Sequence, residues 1–368
     1  MKRKATLLTV PFCMFLLSAS VALPKAADQI QQVTVHEWGT FTSVAGENGQ
    51  AMAWRTYGTP DDLPCFVERF GGFKGGLFGT VRMETPVLYF YGSRELSAHV
   101  KVRFPKGTIT EWYPSATTGG SYNVIEWSDI KVSPGAAGVF PSGGYSHYYA
   151  ARETDAAALQ VGSQKEKFLF YRGVGNFPLP ISANAMADGK VLVKNLSTDE
   201  VSGIILFENR EGKIRYHVAG TLEREITLDS GSVASDVAAL FTDLENILVA
   251  EGLYRKEAKA MIATWRDSWF EEGTRLFYIV PKRAIDSILP LDIQPTPSQI
   301  SRVFVGRLEI ITAAIQEDVK HAVATNDRLA LEKYGRFLEP IARRIGAKSA
   351  LVDSIYSNSF TQPAPCNR

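Results

Sequence analysis

At about residue 232 the hydrophobic period of this 368-residue chain changes, and that change constrains the fold more than any other feature. Before it, apolar and polar residues alternate in short runs cut by Gly and Pro, the pattern of half-buried strands. After it, apolar residues return at three- and four-residue spacing, the pattern of helices with one buried stripe. The chain therefore reads as α+β. An antiparallel β-sandwich-like N-terminal part (30–230) precedes a helical C-terminal part (232–350) and a tail (351–368).

Strands are expected at 33–44, 86–91, 98–104, 108–113, 122–132, 167–172, 190–195, 201–208 and 213–219. The run from Ala98 sets Ala98, Val100, Val102 and Phe104 against His99, Lys101 and Arg103, a strand with one wet face. Pro105-Lys106-Gly107 and Asn209-Arg210-Glu211-Gly212 supply turns. Beyond 232, Val237, Leu240, Phe241, Leu244, Ile247 and Leu248 form one helical stripe, with Ser235 as cap and Gly252 as stop. A second helix, Arg255 to Glu272, buries Ala258, Met261, Ile262, Trp265 and Trp269. Two strands, 275–280 and 302–311, return among the helices and are expected to rejoin the sheet. Helices follow from Thr312 to Thr325 and from Asp327 to Ile345.

Lys2, Arg3 and Lys4 precede an apolar stretch from Ala5 to Leu17, and Ser20-Val21-Ala22 offers small residues for a signal peptidase. Residues 1–22 thus read as a secretory signal, with a periplasmic or extracellular destination. Phe12 is too bulky to precede a lipidated Cys13, and no later segment is apolar enough for a transmembrane anchor. In an oxidising compartment Cys65 and Cys366 can pair or stay as two free thiols. Lys and Arg number 40 against 39 Asp and Glu, which argues against nucleic acid as a partner. Only Lys165-Glu166-Lys167 and Arg343-Arg344 resemble charge clusters, and both read as solvated edges.

Standard catalytic patterns are missing. In HEWGT (36–40), Thr40 stands where a zinc protease needs its second histidine, and no G-x-S-x-G occurs. FGGFKGGLFG (70–79) lacks the Lys-Ser/Thr of a phosphate loop and reads as a mobile surface loop. A metal site would have to draw His36 and His147 together with a distant third histidine, so no metal and no cofactor is assigned.

The best candidates are polar residues that break expected patterns. SHYYAARETDAA (146–157) carries His147, Tyr148, Arg152, Glu153 and Asp155 with no amphipathic period. Such a segment offers acid–base groups, or else forms a solvent-facing turn held by internal ion pairs. Glu111 beside Trp112, and Glu84 near Arg82, place carboxylates at strand ends. Asp267 and Glu271, four apart on the second helix, lie beside Trp265 and Trp269, an arrangement also found in sugar sites. The catalytic candidates are His147, Arg152, Glu153 and Glu111; the ligand-binding candidates are His36, Trp38, Trp112, Tyr148 and Arg172.

On a regular strand, Val33, Val35, Glu37, Gly39 and Phe41 share one face, and His36, Trp38 and Thr40 the other. Glu37 then sits on an apolar face and needs a buried cation such as Arg82 or Arg172.

HEWGTFTSV, METPVLYFY, FPKGTITEWYP, HYYAARETDA, KFLFYRGVGNF and RVFVGRLE together resemble a family of exported bacterial proteins to which no activity is attached. The PVLYFY…VKVRFPKG…EWYP part is also similar to small β-rich modules. The resemblance implies bacterial export and a β-rich fold, and transfers no catalytic residue. Two functions are expected. The first is a protein that binds a glycan or envelope polymer through exposed Trp and Tyr. The second is a secreted hydrolase using paired carboxylates, or His147 with a carboxylate.

Overall fold

The strand Thr34–Val44 (β1) is the axis of the fold, pairing antiparallel with Val81–Tyr91 (β2) and parallel with a strand almost 270 residues later. The computed structural model describes residues 33–56, 63–70, 77–229 and 236–358. β1 belongs to a nine-stranded sheet whose longer members continue as β3 (Gly107–Tyr113), β4 (Leu169–Gly175), β5 (Val201–Arg210), β6 (Lys213–Leu222), β7 (Gly273–Ile279) and β8 (Gln299–Ile310). The order across the sheet is β6-β5-β7-β8-β1-β2-β4-β3, ending at the two-residue strand Glu68–Arg69. β7 and β8 are the two strands that lie among the helices in sequence. They rejoin the sheet as expected, and they do so at its centre.

Each face of this sheet is covered. One packs on a six-stranded sheet that includes Leu96–Arg103 and Val124–Ser133, and on a three-stranded sheet. Phe41, Leu88 and Phe90 of the large sheet meet Val100, Val102, Trp127 and Val193 there, which gives the sandwich-like layer. The other face carries the helices α1 (Val237–Ala250) and α2 (Arg255–Trp269). Trp38, Tyr89, Ile205 and Phe277 pack against Leu240, Met261, Trp265 and Trp269 in this second core. A third core joins Val44 and Trp54 to the C-terminal helices through Val319, Phe337 and Ile341. The fold is α+β, with its helices mainly C-terminal.

Four local features depart from expectation. The predicted Asp327–Ile345 helix breaks into Arg328–Glu332, a 3-10 turn at Gly335–Phe337, and Leu338–Arg344; Gly335 takes φ +48°, which no α-helix accommodates. His147–Arg152 forms a 3-10 helix, with the Ser146 side chain accepting from Tyr148 N at 3.1 Å. Ala350–Asn358 is helical where a tail was expected, because Val352 and Ile355 join the third core. Asp236 caps α1, accepting from Ala238 N at 3.0 Å; Ser235, the expected cap, lies outside the described residues.

The signal segment, most of the glycine-rich 70–79 stretch and Cys366 also lie outside the described residues. Cys65 is disulfide-bonded, and the chain's other two cysteines, Cys13 and Cys366, are not among the described residues. No helix among the described residues is long and apolar enough to cross a membrane.

Candidate functional site

The alternation of β1 resolves its two charged neighbours. Glu37 faces the sandwich core, where Arg302 Nε donates to Oε2 at 2.6 Å and Tyr171 OH to Oε1 at 2.5 Å. The arginine partner is thus Arg302, and neither Arg82 nor Arg172. Arg302 is the register partner of Glu37, whereas Arg82 opposes Thr42 on the opposite face. His36 points to the helix layer, its Nδ1 2.7 Å from Glu257 Oε2. Tyr91 OH and Tyr254 N also donate to Glu257, at 2.8 and 2.7 Å, so His36 docks the first turn of α2 onto the sheet.

His147 meets the same helix ten residues later, with Nε2 2.7 Å from Asp267 Oδ2. Ten residues of helix advance about 15 Å, so His36 and His147 are too far apart to share a metal ion. Trp38 is fully buried in the helix-side core. All six tryptophans are buried, so no tryptophan supplies an exposed binding ring; among the described residues Tyr145, Tyr254 and Phe78 are the exposed aromatics.

A row of charges crosses the helix-side face of the sheet. Arg172 on β4 opposes Glu111 on β3, and Thr110 Oγ1 donates to Glu111 Oε2 at 2.5 Å. On the opposite face of β3, Trp112 packs in the sandwich core and its Nε1 donates to Glu68 at 2.7 Å. On β2, Glu84 accepts from Thr42 Oγ1 at 2.7 Å, lies 3.2 Å from Arg82 Nε, and is bound by Arg336 from the C-terminal helices. On β8, Arg307 donates to Glu271 at 2.7 Å, and Glu309 accepts from Arg275 of β7 at 2.9 Å. Ser268 of α2 receives both Arg307, at 3.1 Å, and Arg336, at 2.5 Å.

Burial alone would raise the Glu84 pKa. Arg336, Arg82, Arg307 and the Thr42 hydroxyl outweigh it and hold the carboxyl down to about 2. Burial, with Arg275 and Arg336 alongside, pushes Arg307 down to about 10. A carboxylate locked as an anion among guanidiniums donates no proton near neutrality. Within this row Glu84 and Glu271 are held as anions and tie layers together, whereas burial pushes Glu309 the other way. Asp267 and Glu271 do not share a face as their spacing suggested. α2 ends at Trp269, so Glu271 turns inward to Arg307 while Asp267 stays outside.

The surface cluster is different. The loop before the 3-10 turn is clipped down at several points. Tyr149 OH donates to Gly143 O at 2.9 Å and lies 2.8 Å from the Gly143 N–H that donates to it. Arg152 Nη2 donates to Pro141 O at 2.8 Å, and its guanidinium sits 4.8 Å over the Tyr149 ring. Arg152 is itself held by Glu166, through Nε at 2.9 Å and Nη2 at 2.6 Å, and Tyr148 OH reaches the same carboxylate at 3.1 Å. Glu166 is therefore a buried ion-pair partner and not part of a solvated edge. Burial raises its pKa, and Arg152 and the Lys167 N–H partly offset that rise.

From this clipped loop Tyr145 projects with 86% of its surface exposed. His147 braces it edge-on, the rings 5.1 Å apart at 81°, with Tyr145 OH 3.3 Å from His147 Nε2. Tyr145, His147 and Asp267 thus make a fixed patch of aromatic ring, imidazole and carboxylate. Both contacts of His147 fall on one nitrogen, Nε2. A hydrolytic relay uses the two ring nitrogens separately, one for the orienting carboxylate and one for the nucleophile.

The sequence candidates therefore separate. Tyr148 and Arg152 share Glu166; Arg172 and Glu111 are neighbours across two strands; Glu153 is exposed just beyond the turn. Glu111 is bound by Thr110, His147 by Asp267 and Arg152 by Glu166, three different partners. Sequence reading passed over Tyr145, although an aromatic following Gly143-Gly144 in a polar loop is a usable signal.

No family model and no curated protein matches the sequence. Among solved structures, the chain is similar to the Mu homology domain of Fcho1 from Danio rerio with bound Eps15 peptide, at 8% identity and TM-score 0.33, covering 76% of this chain and 96% of that one. It is also similar to the yeast delta-COP-I mu-homology domain complexed with a Dsl1 WxWxV peptide, at 8% identity and TM-score 0.26, covering 76% and 95%.

Proposed function

We propose that this chain is an exported bacterial protein that binds a glycan or related envelope polymer on the Tyr145–His147–Asp267 patch. The observation that carries this reading is Tyr145, an aromatic ring left in water yet held still by His147 and a clipped loop. A rigid exposed ring can stack on a sugar face at little entropic cost, while Asp267 and the imidazole accept from and donate to hydroxyls. The pattern Lys2 to Ala22 supports export, and a disulfide at Cys65 agrees with an oxidising compartment.

A hydrolase built on His147 and Asp267 is the second reading. The 2.7 Å contact favours it, and the sharing of Nε2 by both neighbours weighs against it. The test is a glycan array with the purified chain. Retention of a glycan by the native protein, lost in Tyr145→Ala at unchanged melting temperature, supports the binding reading. Turnover of chromogenic glycosides that vanishes in His147→Asn would replace it with the hydrolytic one. A native protein that retains no glycan and turns over none sinks both.

A further inference from the structure

A cavity lies at the far end of β1. There the chain turns through a hairpin at Gly46–Gln50, and the helix Leu338–Arg344 ends against it. The cavity measures about 660 Å³, within the usual range for small-molecule sites, and is lined by Glu47, Asn48, Gln50, Met52, Arg343 and Arg344 among others. The hairpin is rigid. Gly46 N donates to Gln50 O at 2.8 Å, Gly49 N to Gly46 O at 3.0 Å, and Ala183 N to Gly49 O at 2.9 Å. Asn184 Nδ2 fixes Glu47 O from the side at 3.2 Å.

The two arginines are only partly engaged. Arg344 donates from a single nitrogen, Nη1, to Ala45 O at 2.8 Å and Gly46 O at 3.1 Å. Its Nε and Nη2 donate to no described residue. Arg343 uses Nη2 on Ala53 O and keeps Nε 3.8 Å from Glu339. In the sequence this pair reads as a solvated edge; in the fold it closes the helix Leu338–Arg344. A helix C-terminus carries only about half a negative charge, and Glu339 balances only Arg343, at 3.8 Å. Glu47 lines the same cavity, yet no ion pair among the described residues joins it to either arginine. Burial lowers the Arg344 pKa and the nearby Glu47 carboxylate partly restores it.

We propose that this cavity binds a small organic anion whose carboxylate or phosphate is gripped by the Nε and Nη2 edge of Arg344 with Nη1 of Arg343 beside it. The guanidinium fork matches either group in bidentate fashion. The volume and the Met52 and Ala51 walls accommodate a carbon body that bare phosphate lacks. This site is independent of the Tyr145 patch.

The test is titration calorimetry on the full chain at low ionic strength with citrate, glycerol phosphate and inorganic phosphate. One saturable site for citrate or glycerol phosphate is expected. Arg343→Gln should weaken it at least about tenfold, and Glu47→Gln, which removes a competing carboxylate, should tighten it. The tighter of the two ligands assigns carboxylate or phosphate. Because Arg344 also holds the hairpin, Arg343 and Glu47 carry the test, with unchanged near-ultraviolet circular dichroism as the control for folding. Binding of inorganic phosphate alone, no saturable binding of any of the three, or binding that both variants leave unchanged overturns the proposal.

Discussion

Arg302 and Glu37 face each other on adjacent parallel strands, Nε to Oε2 at 2.6 Å, across 265 positions of sequence. Both are buried under the smaller sheets, and Arg302 Nη1 continues to Asp286 at 2.8 Å. A buried pair of this kind is weak evidence for stability, but breaking it strands a charge. Arg302→Met should cost about 3–5 kcal/mol, because Glu37 would keep only the Tyr171 hydroxyl. Adding Glu37→Gln should recover much of that loss. Urea midpoints of the two single variants and the double variant measure the coupling, and strictly additive losses would show that the two residues act separately.

Glu84 makes stability depend on acid. Its carboxyl is held at about 2 in the fold against an ordinary 4.5, because its cations outweigh burial. A depressed carboxylate contributes stability that is complete above the unfolded value and disappears as pH falls through the folded one. The contribution is therefore present above about pH 4.5 and lost towards pH 2, on the order of 3 kcal/mol in all. Glu271, also lowered against the pull of burial, acts in the same direction. Glu84→Gln should be less stable at pH 7 and should show a flatter decline from pH 4.5 to 2. Denaturant unfolding at stepped pH checks this, and an unchanged slope would remove Glu84 from the account.

The glycine of HEWGT is explained by packing. A Cβ at Gly39 would lie 2.7 Å from Cε1 of the buried Phe304 ring and 3.2 Å from the Pro86 backbone Cα. The β1–β2 register shifts at this point, between Trp38 and Thr40. Gly39→Ala should therefore cost about 1–3 kcal/mol through overpacking, read as a lower melting temperature. An alanine variant as stable as the native chain would mean that Phe304 moves aside freely.

These residues also show what was legible in advance. Strand period separated Glu37 from His36 and demanded a buried cation, because that inference needs only local alternation. It could not select Arg302, since any arginine on a neighbouring strand satisfies the demand and register is a tertiary property. The same rule would have flagged Arg275, Arg307 and Glu309, which interrupt the apolar runs of β7 and β8 as Glu37 interrupts β1. Arg336, Glu166 and Glu257 carried no signal. Each looks like an ordinary charge on a polar segment until its distant partner is known. His147 was found because it stood among polar residues without a period, whereas Tyr145, the exposed ring it braces, passed as ordinary loop.

Arg152 and Tyr145 should separate positioning from contact. Arg152→Lys keeps the charge but loses the fork on Glu166 and the flat face over Tyr149. The loop should loosen, so the Gly143 amide, now donating to Tyr149 OH at 2.8 Å, should exchange with solvent faster. Glycan affinity should fall in proportion to that loosening. Tyr145→Ala should abolish affinity while leaving Gly143 exchange as it was, because the tyrosine ring supports no part of the clip. Hydrogen exchange read beside glycan binding distinguishes the two. If Arg152→Lys leaves both unchanged, the loop is not held from beneath by this arginine, and the patch owes its order to His147 and Asp267 alone.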